Sequence, residues 1–208
     1  MYWLDFIAKA GLACSHTPIL AGILVLGLLS KHREKFARAA FLTLFTIIYN
    51  LYLKSLWQMP LPPPLEGWAF PSGHMHSAVV FWGWLAIEFN KVWFYEIVFF
   101  ILTFVGYGLV QQGYHYPVDV LASVGFGSVS ILLYAIINRL PFFKQHSERV
   151  GFLMAILSGC VFLLLPGPAA QKPHVIGALS IIAGFSIAWA LYQLKQCSQS
   201  CRLGTNKV

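Results

Sequence analysis

Apolar residues along this chain fall in long runs, broken by short stretches that carry Lys, Arg, Pro and Gly. Many of the runs are long enough to cross a hydrocarbon core of roughly 30 Å as helices. They predict seven spans, at about 12–30, 38–58, 73–90, 92–112, 116–138, 150–166 and 174–194. No polar segment is long enough to make a separate soluble domain, so residues 1–208 read as a single integral membrane domain. The expected fold is all-α, a polytopic bundle of six to seven transmembrane helices embedded in a lipid bilayer. The first run ends in "GLLSKHREK" and offers no small-x-small cleavage site, so it reads as a span and not as a signal peptide.

Composition agrees: 58% of residues are hydrophobic and 10% charged, too few charges to cover a water-soluble protein of this size. The net charge of +7 is spread over short loops and forms no basic patch interleaved with aromatics, which argues against a nucleic-acid partner. It reports topology instead. The positive-inside rule places the loop 31–38, Lys91, the loop 139–149 and the tail (Lys195, Arg202, Lys207) in the cytoplasm. Seven alternating spans bring all of these to one side, leaving Lys9, Lys54 and Lys172 for the other. The N-terminus is therefore expected outside and the C-terminus inside. Cys14, Cys160, Cys197 and Cys201 suggest no disulfide framework. "PLPPPLEGWAF" reads as a proline-stiffened outer loop.

Ionisable groups in or at the edge of spans are costly and mark function. Here they are Lys54, His74, His76, His115 and Asp119. The expected topology brings Lys54, His74 and His115 to the outer face. In "PSGH", a helix starting near Ser72 aims free N–H groups and a positive dipole end outward, a seat for an anion. Gly73 permits close approach and His74 can supply a proton. Equally, Pro71 and Ser72 can be an ordinary helix start. In "GYHYPVDV", Asp119 follows His115 by four residues, within reach of one imidazole nitrogen, which would leave the other free to attack. His76, two residues from His74, points elsewhere and reads as interfacial. Asn50 reads as a hydrogen-bonding residue of the bundle, and Glu66 as a partner for Lys54 across the loop.

"PSGH" followed by "GYHYPVDV" resembles the second and third signature motifs of the type 2 phosphatidic acid phosphatase and vanadium haloperoxidase superfamily, membrane lipid phosphatase branch. The first motif is similar to "KSLWQMPLP", with Lys54 and Pro62 at the family spacing. The resemblance implies a bundle of about six helices that hydrolyses a membrane lipid phosphate at the extracytoplasmic surface, without metal or other cofactor. His115 would attack phosphorus to form a phosphohistidine, Asp119 would orient it, and His74 would protonate the leaving alcohol. Lys54, Ser72 and the Gly73 amide would hold the phosphate oxygens. The implied location is a bacterial inner membrane, and the substrate an amphiphile such as phosphatidate, phosphatidylglycerol phosphate, a polyprenyl pyrophosphate or a phosphorylated glycolipid. Both motif arginines are missing: Leu61 stands in place of one and Gly108-Leu109 in place of the third motif's Ser-Arg. Gln111 and Gln112 offer neutral donors nearby. The loss leaves two alternatives: a lipid headgroup phosphotransferase with the same His, His and Asp set, or a retired site serving lipid binding or scaffolding.

Overall fold

Local chemistry ends the helices. Gln58 and Asn90 take left-handed backbone conformations after the helices at 33–57 and 73–89, their N–H groups closing the last turns on the Lys54 and Ala86 carbonyls. Pro117 opens the helix at 117–139, where its missing N–H costs no helical bond. In the computed structural model, residues 2–144 and 146–205 are described. Lys207, and the side chains of Cys201 and Arg202, lie outside what it describes.

The helices are α1 (Tyr2–Ala13), α2 (Thr17–Leu29), α3 (Arg33–Trp57), α4 (Gly73–Phe89), α5 (Val92–Gln111), α6 (Pro117–Arg139), the short α7 (Pro141–Lys144), α8 (Ser147–Leu163), the short α9 (Gly167–Ala170) and α10 (Pro173–Thr205). Each expected span after the first overlaps one long helix, and the fold is an all-α membrane bundle. By length and apolarity α3, α5, α6 and α10 each suffice to cross a membrane. α4 and α8 have 17 residues, which at 1.5 Å per residue is about 26 Å.

The first expected span, 12–30, is corrected. It is the second half of a longer run, because residues 2–11 are also helical. α1 and α2 together pass as one span bent by 46° at a break of a few residues.

α4 is the most enclosed helix, packed against α3, α5 and α6. Phe81, Trp84 and Leu85 are buried, and the Trp84 ring meets Tyr134 of α6 edge-on at 4.6 Å. Gly127 lets α6 approach closely, since a Cβ there would sit 2.7 Å from Val79 of α4. α1 lies along α5 in the same manner: a Cβ on Gly11 would fall 2.6 Å from the Phe104 carbonyl oxygen. Lipid supplies little hydrophobic drive between helices, so such small-residue contacts let dispersion forces hold them.

The basic loops gather at one end. The Lys35 ammonium donates to the Glu88 carbonyl, and Arg38 reaches the Lys144 carbonyl at 3.3 Å and the Glu88 carboxylate at 3.5 Å. Lys54 and Lys172 sit at the other end, the latter over the Trp68 ring. Every residue of the two signature stretches is at that second end.

Candidate active site

The turn between α5 and α6 builds one half of the site. Gly113 takes φ +69°, a left-handed conformation that L side chains rarely adopt, so the chain doubles back. The N–H groups of Tyr114 and His115 both donate to the Leu109 carbonyl, at 3.0 and 3.2 Å, which pins His115 above the end of α5. Asp119 lies in the first turn of α6 and is buried. Its Oδ2 accepts the Tyr116 N–H at 2.9 Å and lies 3.4 Å from His115 Nδ1. Burying a carboxylate is costly. The Tyr116 amide and the positive end of the α6 dipole offset part of that cost.

The other half is the start of α4. Ser72 is the N-cap, its hydroxyl 3.5 Å from the Met75 N–H. It is locked to α6: the Ser72 N–H donates to the Asp119 carbonyl at 3.2 Å. The Ser123 hydroxyl sits between the Ser72 and Asp119 carbonyls, at 2.9 and 2.7 Å. The two signature stretches thus share a hydrogen-bonded seam, which fixes His74 relative to His115.

His74 and His115 line one cleft of about 430 Å³ at this end of the bundle. Leu61 and Leu109, at the positions of the absent arginines, line it too, as does Gln112. Gln112 does not turn its amide donor freely into the cleft, because Nε2 donates to Asp5 at 2.7 Å. Lys54, Ser72 and Gly73 are not among the lining residues. The Lys54 ammonium donates to the carbonyls of Trp68 and, at 3.1 Å, Ala69, and so fastens the loop before α4. It does not pair with Glu66 as expected: backbone carbonyls closer to α4 take its donors. The close approach at Gly73 is made by Asn50, whose Oδ1 would lie 3.3 Å from an added Cβ.

His76 is corrected outright. It is not interfacial but fully buried, with Nδ1 3.0 Å from Asn50 Nδ2. Asn50 also reaches the Pro71 carbonyl at 3.4 Å. The start of α4 is fastened to α6 through Ser72, and His76, at the end of the first turn, points into the bundle toward α3. Asn50 has the packing role expected of it.

Burial pushes the His115 imidazole down to about 4, the Lys54 ammonium adding to the depression while Asp119 opposes it. Near neutral pH the ring is therefore neutral. With the Nδ1 proton directed at Asp119, an assignment made from the hydrogen bond, Nε2 carries the free lone pair.

The cleft also contains residues that the motifs did not mark. Lys9 and Leu12 of α1, and His16 at the break before α2, line it. The rings of His16 and His74 meet edge-on with centroids 5.9 Å apart. The one available hint was a polar "CSHT" inside an apolar run.

These features define a membrane helix bundle with a histidine-paired cleft at one end. The model of the PAP2 superfamily matches residues 19–142, more than half of the chain, and the chain belongs to that family. Its members are mostly phosphatases, so phosphatase-type chemistry follows at that level. Comparison with curated proteins and with solved structures yields no match.

Proposed function

We propose that the protein hydrolyses the phosphate ester of a membrane lipid phosphate, with His115 as nucleophile. The observation that carries this reading is the cleft shared by His74 and His115, with Asp119 on the far nitrogen of His115. His115 Nε2 attacks phosphorus, the bond from phosphorus to the lipid oxygen breaks, and His74 gives the leaving oxygen its proton. A phosphohistidine results. His74, now a base, takes a proton from water as that water attacks phosphorus; the bond to His115 breaks and inorganic phosphate leaves. Lys54, Ser72 and Gly73 hold the wall behind the cleft, and the reaction uses no metal. Leu12, Leu61, Leu65 and Leu109 offer an apolar surface suited to a substrate with acyl or prenyl chains.

Phosphate release from a panel of lipid phosphates by purified protein, beside His115→Ala, tests this. Release should vanish in the variant. Equal release by both proteins would remove His115 from the mechanism.

The orientation is part of the proposal: cleft and N-terminus outside, C-terminus inside, in a bacterial inner membrane. The gathering of basic loops at the opposite end supports it. In a background lacking native cysteines, an impermeant thiol reagent applied from outside should label a probe at Pro64 but not at Lys144. The reverse pattern would overturn the sidedness.

A second reading is favoured by the leucines in the arginine positions, since a less charged wall suits a phosphodiester with one negative charge. It makes the protein a headgroup phosphotransferase, and product formation dependent on an acceptor other than water distinguishes it.

A further inference from the structure

Taking the cleft as a phosphate-ester site raises a question of charge: where arginines would grip the phosphate, Leu61 and Leu109 line the wall. Beside His74 and His115, the basic side chains that line it among the described residues are Lys9 and His16, from the N-terminal helix pair. Lys9 and His16 both lie before residue 19, where the match to the family model begins.

Their placement is built. In a membrane, a break in a helix persists only where it is buried in protein or lines a cavity, because lipid cannot hydrogen-bond the freed backbone groups. The break between α1 and α2 satisfies that rule on both counts. The Cys14 carbonyl accepts the Trp82 indole N–H at 3.0 Å, and the Ser15 hydroxyl turns back to the Leu12 carbonyl at 2.7 Å. The next residue, His16, faces the cleft with its ring beside that of His74.

Lys9 is steered from behind. Asp5 receives the Lys9 ammonium on one carboxylate oxygen at 2.8 Å and the Gln112 amide on the other at 2.7 Å, tying α1 to the end of α5. Asp5 does not itself line the cleft. The Lys9–Asp5 pair is exposed, and exposed pairs are weak, so an arriving anion can draw the ammonium inward at little cost.

We infer that His16 and Lys9 bind the phosphate oxygens of an anionic phosphate ester, completing from the N-terminal helix pair a cradle that lacks its arginines. This rests on the proposed function only for the identity of the ligand. It makes the α1–α2 break a part of the site.

Binding and turnover separate the two ideas. Full-length protein in detergent is titrated calorimetrically with dihexanoyl phosphatidate, as wild type, His115→Ala, the double variant Lys9→Met/His16→Leu, and His16→Arg. Wild type and His115→Ala should bind. The double variant should bind about ten- to a hundredfold more weakly, the loss of charge-assisted bonds to one phosphate. His16→Arg, which keeps a donor, should bind at least as tightly as wild type. Both Lys9 and His16 are exposed, and an unchanged thermal midpoint would show the fold intact. Unchanged affinity in the double variant, weakened binding in His16→Arg, or no binding by wild type would overturn the inference. Phosphate release is scored separately. Release that requires His115 with affinity indifferent to Lys9 and His16 sinks this inference alone; affinity that depends on them without any release sinks the hydrolase reading alone.

Discussion

Asp119→Asn isolates what the carboxylate does for His115. The side chain keeps its shape, and Tyr116 N–H still needs an acceptor at the position of Oδ2, so the amide oxygen is held there. That is also the atom facing His115 Nδ1 at 3.4 Å. The hydrogen bond therefore survives and only its charge is lost. Charge-assisted bonds exceed neutral ones by about 1–2 kcal/mol, and the long contact puts the effect in the lower half, so kcat should fall roughly 5- to 13-fold. KM should hold, because Asp119 does not line the cleft. The amide NH2 replaces Oδ1, which is buried without a partner among the described residues, and leaving it unpaired should cost about 1–3 kcal/mol of stability. Because Asp119 raises the His115 pKa, the acid limb of the rate profile should also move to lower pH. Initial rates of phosphate release across pH, with a thermal midpoint, measure all of this. An unchanged kcat with a raised KM, or an acid limb moving upward, would refute the orienting role.

In the wild type, neutral His115 is the reactive form, so the rate should be full above its pKa and fall as pH drops through about 4; a limb near an ordinary histidine value would mean burial does not act on this ring. Leu61→Arg, on the partly exposed loop lining the cleft, should lower KM for phosphomonoesters by about tenfold through one restored charge-assisted bond. Leu109→Arg should instead lower the thermal midpoint, because Leu109 is 1% exposed and an unpaired buried guanidinium costs roughly 3–5 kcal/mol. Asn50→Ala leaves His76 Nδ1 and the Pro71 carbonyl without this partner and should destabilise by about 1–3 kcal/mol, read by thermal unfolding in detergent.

Several features were legible in the sequence alone. Spans were, because lipid demands a long apolar helix and tolerates few charges. The His115–Asp119 pair was, because a spacing of four residues across a helix start brings the side chains within reach. The burial of His76 was not, because local spacing is a limited guide. It shows that His76 and His74 diverge, yet not that the bundle closes over one of them and leaves the other in the cleft. Lys54 shares an end of the bundle with His74 and His115, but its partners, the Trp68 and Ala69 carbonyls, depend on how the 58–72 loop folds back.

What the sequence determined by itself is the membrane-embedded all-α class, the gathering of basic loops at one end, and the order and spacing of Ser72, His74, His115 and Asp119. These rest on periodicity, composition and short-range geometry, each a property of neighbouring residues. The tertiary structure decided the rest. It locked Ser72 to Asp119 through Ser123, buried His76 on Asn50, and laid α1 along α5 so that Lys9 and His16 enter the cleft. Those contacts join residues far apart in the chain, and their energies lie in close packing and in satisfying buried polar groups, which no single stretch of sequence contains.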